Sequence, residues 1–202
     1  MNKGAIRTHF KALLNRSDIT NALSDTFVDQ GIARIQRTLR VPAMERVLPY
    51  TITSQITKIL VPHDLLEIIN IYHNNTVLTR LPLHEMLQMK ATGQAGTANF
   101  FTQQGPDVLL FPEPTSGVVN ISYYAQFAEM VSDSDENSLA TFGSDILIYA
   151  ALTYASDYFL DERASIFEQK FVGFMTETQE QANEAAQSGT VQVMRPSATY
   201  TD

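Results

Sequence analysis

The spacing of apolar residues changes abruptly at Pro42, and this change constrains the fold more than any other feature of the chain. From Ser17 to Arg40 apolar residues recur every three to five positions, which is the period of an amphipathic helix. From Thr51 to Ile59 polar and apolar residues alternate, and many are β-branched, which is typical of a strand. Because proline ends a helix, the pattern predicts a helical segment that passes directly into a β-region.

The predicted N-terminal helices have recognisable ends. Ser17 or Asp18 is expected to cap the helix that stops before Pro42, because either side chain can accept a hydrogen bond from a free backbone N–H. A shorter helix is predicted before it, over residues 4–14. A basic cluster lies at the C-terminal end of the longer helix, where the helix dipole favours positive charge. Its members are Arg34, Arg37 and Arg40.

Residues 48–128 are predicted to form a small antiparallel β-unit with one inserted helix, over residues 82–92. Asn74 and Asn75 separate two apolar runs and predict a hairpin, since asparagine tolerates a left-handed backbone. The sequence Gly-Pro-Asp at 105–107 marks a second turn. Further strands are predicted over residues 66–72, 76–81, 99–103, 108–111 and 118–127.

Two more helices are predicted towards the C-terminus, after a loop over residues 128–143. The first runs from Asp145 to Leu160 with Ser144 as its cap, and the second covers residues 162–187. From Glu177 onward the second helix is polar nearly all round. We therefore expect this half to project into solvent or onto a partner.

These elements predict an α+β fold. Helices from residues 1–47 and 129–189 form one bundle, residues 48–128 form a β-rich insertion, and residues 190–202 form an extended C-terminal arm. A chain of 202 residues can bury a core of this kind without disulfides or metals.

The composition excludes several kinds of reactive site. The chain has no cysteine, which rules out a disulfide scaffold, a thiol nucleophile and cysteine-based zinc or iron–sulfur sites. Its four histidines form no HExxH motif, and neither a GxSxG motif nor a phosphate-binding glycine loop is present. The acidic loop at residues 133–136 lacks the glycine and the closing glutamate of a calcium loop. We therefore predict no enzyme, no cofactor and no metal, and rank a hydrolase last among the functions considered.

Charge is distributed unevenly along the chain, whose net charge is −8. Residues 1–60 carry a net charge of +5, and residues 61–202 carry −13. An acidic major part disfavours general nucleic-acid binding, which needs a basic surface. Opposite charges at the two ends allow two interpretations: contacts between neighbouring copies of the chain, or pairing of the two charges within one folded monomer.

No apolar run approaches the roughly 18 residues of a membrane span, and residues 1–11 lack the apolar core of a signal peptide. These absences predict a protein that is made in a cytoplasm and has no membrane partner.

Residues 190–202 allow two interpretations, a disordered tail or a segment that docks on another protein. Val191, Val193, Met194 and Tyr200 are apolar or aromatic, and such residues lower solubility unless a partner covers them. Extended segments of this type often add themselves to another chain, so docking is favoured.

Three segments carry a resemblance to a known family. The first segment spans residues 14–45 and opens with Leu-Asn-Arg-Ser-Asp-Ile-Thr. The second begins with Ile-Ser-Tyr-Tyr-Ala at 121–125 and includes the predicted helix at 145–161 and the Glu-Arg pair at 162–163. The third is Met-Arg-Pro at 194–196. As a set they resemble the head-to-tail adaptor, or connector, proteins of tailed bacteriophages, podovirus type. The similarity covers most of the chain, although residues 51–111 match only in layout.

The resemblance implies a structural virion protein at the neck, assembled in the host cytoplasm. Such adaptors form a homo-oligomeric ring, typically twelvefold, beneath the portal ring of the capsid and extend a channel through which DNA passes without specific binding. The β-rich insertion would face the tail nozzle, tube or fibres. The basic cluster at residues 34, 37 and 40 would lie at the subunit–subunit interface. The C-terminal arm would dock on the portal through Val191, Val193, Met194, Arg195, Pro196 and Tyr200.

Two alternative functions stay open at this point. One is a neck or tail-completion protein that binds the tail and not the portal. The other is a small DNA-binding packaging accessory protein that uses the Arg34–Arg40 flank, with an affinity that falls steeply with salt.

Overall fold

A computed structural model of the chain describes residues 1–187, which contain six α-helices and eight β-strands. The predicted C-terminal arm therefore lies outside the described residues. The helices are α1 Lys3–Leu14, α2 Asn21–Thr38, α3 Leu83–Lys90, α4 Ser138–Phe142, α5 Ser144–Tyr158 and α6 Ala164–Gln187. The strands are β1 Glu45–Ile52, β2 Lys58–Leu60, β3 Leu65–His73, β4 Thr76–Val77, β5 Thr79–Arg80, β6 Phe100–Gln104, β7 Asp107–Phe111 and β8 Gly117–Ala125.

Helix α5 is the centre of the helical bundle and packs against α1, α2 and α6. It is buried on several sides because its sequence is apolar almost throughout, with small residues such as Ala150 and Ala151 at the helix contacts. Gly31 of α2 lies against these alanines: a Cβ atom there would come within 3.1 Å of the Ala151 backbone nitrogen. The bundle joins helices from both ends of the chain, so the predicted α+β fold is confirmed.

The β-rich insertion consists of two four-stranded sheets packed face to face. The first has the strand order β1-β8-β3-β4 and the second β2-β7-β6-β5. All pairs are antiparallel except the short pair of β5 with β6, which is parallel. Apolar residues from both sheets fill the space between them, and α3 covers the other face of the second sheet through Met86.

The strand predicted over residues 51–59 is divided between the two sheets. Strand β1 ends at Ile52 in the first sheet, and β2 begins at Lys58 in the second. The prediction was wrong because Ile52 and Ile59 lie seven positions apart, so one continuous strand would turn them to opposite faces of its sheet. In two strands of facing sheets both side chains enter the same core, where they are buried. The hairpin prediction at Asn74 is confirmed, since its φ is 54°.

The predicted helix caps were wrong at both places. Helix α2 begins at Asn21, with Thr20 as its cap: the Thr20 hydroxyl accepts a hydrogen bond from the Leu23 N–H at 3.2 Å. Asp18 instead binds Arg16. Ser144 is the first residue of α5, and Gly143 occupies the cap position without a side-chain hydrogen bond. The predicted loop at 128–143 also contains the short helix α4.

Helix α6 runs along α2 and continues past its end. The Gln179 side-chain amide accepts from the Arg40 N–H and donates to the Arg40 carbonyl oxygen, both at 3.0 Å. Beyond this contact most side chains up to Ala186 are exposed. The polar half of α6 is thus mostly exposed and keeps only a narrow packed side, where Ala182 lies against the bundle core.

Candidate interaction surfaces

Among residues 1–187 no group of three or more histidine, aspartate or glutamate side chains could hold a metal ion. His73 is buried, and its two ring nitrogens contact the Ser116 carbonyl oxygen at 2.9 Å and the Ala98 N–H at 3.0 Å. His73 is the last residue of β3, and its ring links the segments that contain Ala98 and Ser116, so it has a structural role. Within the same range no helix is long and apolar enough to cross a membrane.

Arg34 holds the flanks of the bundle together. Its guanidinium donates to both carboxylate oxygens of Glu168 on α6, at 2.9 and 2.5 Å, and a further hydrogen bond reaches the Thr153 hydroxyl of α5. The same group stacks over the Phe171 ring, 4.2 Å from its centroid. Arg34 therefore contacts two helices of its own chain.

Arg40 joins the bundle to the insertion. Its Nε donates to Glu67 of β3 at 2.9 Å, and Nη1 donates to the carbonyl oxygens of Gln36 and Leu39 at the end of α2. Free carbonyls at a helix end attract cations, so this placement follows from the sequence. The partner on β3 could not be foreseen, because it comes from a different structural unit.

Arg37 differs from both of its neighbours. It is exposed, and within residues 1–187 its only hydrogen bond goes to the Ala33 carbonyl oxygen, one turn earlier in α2, at 3.3 Å. In the same part of the chain it forms no salt bridge. Of the three arginines predicted at a subunit interface, Arg37 is the one whose charge has no carboxylate partner among the described residues; the interface itself stays a prediction.

The acidic loop at residues 133–136 is tied to α1. Arg7, whose side chain is only 11% exposed, binds Asp25 and Asp133 with four hydrogen bonds between 2.6 and 3.0 Å. The Arg7 guanidinium lowers the pKa of Asp133, and the Ser132 hydroxyl and N–H lower the pKa of Asp135. These carboxylates are held by groups of the bundle and of their own loop, so they contribute to the fold.

The second half of α6 carries an acidic surface that sequence inspection noted only as polar. Glu177, Glu180 and Glu184 recur at helical spacing and are all exposed. They form no salt bridge within the described residues. The signal was present in the sequence, because no lysine or arginine occurs between Phe171 and Gln187.

Two further surfaces expose apolar side chains. Val47, Leu60 and Val77, on strands of the insertion, are each more than half exposed. At the opposite end of the molecule, the turn between α5 and α6 holds Leu160 at a φ of 52° and 88% exposed. A leucine is unusual in the left-handed region, where glycine or asparagine normally stands.

The residues predicted to dock on a portal all lie outside the described residues. They are Val191, Val193, Met194, Arg195, Pro196 and Tyr200.

A comparison with family models matches residues 1–195 to the family described as SU10 adaptor protein. The match spans the bundle, the insertion and the first residues of the C-terminal arm. A comparison with curated proteins found no match.

Proposed function

Because the chain belongs to the SU10 adaptor protein family, a phage adaptor-type family, we propose that it forms a ring that joins the portal of a capsid to the tail. The family is structural, it is a virion component, and its members interact with other head and tail proteins. The finer assignments are our proposal: a homo-oligomeric ring of podovirus type, twelve copies, and a channel through which DNA passes.

The observation that carries the proposal is the length of the family match, residues 1–195 of 202. It includes the helical bundle and the β-insertion together. The absence of a candidate metal site in residues 1–187 is compatible with a structural role.

In this proposal the two ends of the molecule have different partners. The C-terminal arm, through Val191, Val193, Met194, Arg195, Pro196 and Tyr200, binds the portal. The insertion binds the tail nozzle, tube or fibres. Its exposed Val47, Leu60 and Val77 support this role, since exposed apolar groups on a sheet favour a protein partner.

Removal of residues 190–202 tests the portal contact. We expect the shortened chain to unfold at the same denaturant concentration as the full chain and to lose co-sedimentation with purified portal rings. Binding of the shortened chain to the portal at full affinity would overturn the role of the arm. A full chain that binds purified tails and never the portal would favour a neck or tail-completion protein.

The structure weakens the DNA-binding alternative. Two of the three arginines on the proposed flank, Arg34 and Arg40, bind carboxylates of the same chain. A titration with duplex DNA at low salt checks this point, and we expect no measurable binding, because phosphate contacts need several free cations.

A further inference from the structure

Gly173 lies in the middle of α6 with no structural need for glycine among residues 1–187. A Cβ atom at this position would meet nothing within 4 Å in this part of the chain, and the residue is not among the glycines with positive φ. Glycine destabilises the interior of an exposed helix relative to alanine. A glycine here is therefore suited to the close approach of a group from outside residues 1–187.

The outer face of α6 around Gly173 is apolar on one side and acidic on the other. Ile166 and Val172 are each about half exposed. Glu177 follows one turn later and begins the acidic surface described above, which has no basic partner in residues 1–187. A partner that fits this face presents short side chains opposite Gly173 and a positive charge opposite Glu177.

The exposed face of α2 has these properties. Arg37 carries a positive charge that has no carboxylate partner in residues 1–187, and the exposed residues one, two and three turns before it are Ala33, Gln30 and Thr26, of which the first and the last are short. Arg37 stands two residues after the buried Ile35, just as Gly173 stands two residues after the buried Phe171. Side chains two residues apart on a helix differ in direction by about 200°. Arg37 on α2 and Gly173 on α6 therefore both face away from the bundle core.

The two faces also lie along the same stretch of the bundle. Arg34 contacts Glu168, and Arg40, two residues past the end of α2, contacts Gln179, so Arg37 lies between two contacts that span residues 168–179 of α6. Rotational symmetry in a ring repeats a subunit without shifting it along the ring axis. When α2 and α6 run nearly parallel to that axis, Arg37 of one copy lies beside this stretch of α6 in the next copy, which contains Gly173 and Glu177 about 6 Å apart along the helix.

We propose that α2 of one copy packs on α6 of its neighbour, with Arg37 crossing Gly173 and its guanidinium binding Glu177. This contact rests on the proposed ring and names the surfaces that close it. The contact is head-to-tail, so each copy uses its α2 face towards one neighbour and its α6 face towards the other. In a closed ring every face is therefore paired, and only an incomplete assembly leaves faces unpaired.

Charge reversal tests the contact in the full chain, with ring assembly measured by analytical ultracentrifugation and negative-stain imaging on portal rings. We expect Arg37→Glu and Glu177→Arg each to lower the yield of rings about tenfold or more, because like charges then face each other at every interface. The double variant with both changes is expected to restore assembly. Arg80→Glu is the matched control, since Arg80 is exposed, forms no salt bridge in residues 1–187 and lies on the insertion.

A size substitution gives a second measurement that does not depend on charge. Gly173→Leu is expected to keep the circular dichroism of the fold and to raise the unfolding midpoint slightly, because the site is open among residues 1–187 and leucine favours a helix interior over glycine. It should still abolish ring formation. Ser165→Leu, at an exposed position two turns earlier in α6, is the control and should assemble normally.

The outcomes separate this contact from the proposed function. If the unchanged chain forms rings and both Arg37→Glu and Gly173→Leu form them equally well, the contact is overturned and the proposed function stands. If the unchanged chain remains a monomer both alone and with portal rings, the proposed ring is overturned, and this contact with it.

Discussion

The helical bundle and the β-insertion use charge in different ways. In the bundle, Arg7, Arg34 and Arg163 each bind carboxylates or carbonyl groups from segments distant in the sequence, and they fix the helices against each other. The insertion is held mainly by apolar contacts between two sheets; of its ion pairs, Lys58 with Asp107 is partly exposed and Lys90 with Glu113 is largely buried. The bundle is therefore specified by polar contacts as well as by its core, while several of its carboxylates, among them Asp145, Asp157 and the glutamates in the second half of α6, form no salt bridge within residues 1–187.

This difference suggests which surface meets which kind of partner. The bundle presents isolated charges, Arg37 on one flank and the glutamates of α6 on another, which suit repeated contacts between identical copies. The insertion presents exposed valine and leucine side chains, which suit a different protein. The predictions below test whether the two regions differ in stability as well as in surface.

The largest effect is expected at the contact of α2 with α5. Gly31→Val places two methyl groups where even a single Cβ would lie 3.1 Å from the Ala151 nitrogen and 3.2 Å from the Ala150 Cβ. We expect a loss of about 3 kcal/mol in the free energy of unfolding, because both neighbours belong to a packed helix. Urea unfolding measures it. Gly173→Ala is the control in open space and should not destabilise; a tolerated Gly31→Val would show that the two helices can separate at little cost.

The next effect is expected for the buried arginine of the bundle. Arg7→Met removes the partner of Asp25 and Asp133, and we expect it to lower the free energy of unfolding by about 2 kcal/mol. This value lies below that of a fully buried pair, because Asp133 is largely exposed. Arg80→Met on the insertion should change it by less than about 0.5 kcal/mol. Equal losses in both variants would contradict the contrast between the regions.

A smaller effect on the free energy of unfolding is expected at low pH, from the carboxylate of Asp161. Hydrogen bonds from the Arg163 side chain and backbone lower the pKa of Asp161 to about 2. Because the folded pKa lies below the unfolded one, the stabilisation is complete above about pH 4 and is lost as the pH falls through about 2. Arg163 is partly exposed to solvent, so we expect only about 1 kcal/mol. Urea unfolding at pH 2 to 5 should show a shallower pH dependence for Asp161→Asn than for Asp157→Asn.

The smallest effect is a gain in stability. Leu160 holds a φ of 52° and buries little of its side chain, so Leu160→Gly removes backbone strain without a loss of packing. We expect the free energy of unfolding to rise by about 0.5 to 1 kcal/mol, since the added flexibility of the unfolded chain offsets part of the relief. Leu160→Ala keeps the strain and serves as the control. A loss of stability in the glycine variant would mean that the leucine side chain contributes to the fold.

The long helices and most of the strands could be predicted from the sequence, because long helices and alternating strands carry strong periodic signals. The short helix α4 was missed, and the division of residues 51–59 between two sheets was not recognised, although the seven-residue spacing of Ile52 and Ile59 does not fit a single strand with both side chains buried. The cap of α2 was missed because Ser17, Asp18 and Thr20 can all accept the same type of hydrogen bond.

The candidate surfaces were predicted less well than the fold. The cluster at 34, 37 and 40 looks uniform in the sequence, yet Arg34 and Arg40 find partners on α6 and β3 that only the folded chain brings near. The family prediction is confirmed as an adaptor family, while the podovirus type stays a prediction. The isolated Arg37 is the feature that the structure adds.

Imaging of the full chain mixed with purified portal rings of the same phage, together with the mass of the complex, tests the central claim most directly. We expect the chain to add a closed ring beneath the portal, with an added mass that is a whole multiple of 22.6 kDa. A chain that leaves the portal unchanged in mass and in image, at concentrations where both proteins remain folded, would contradict the claim that it is a ring-forming adaptor on the portal.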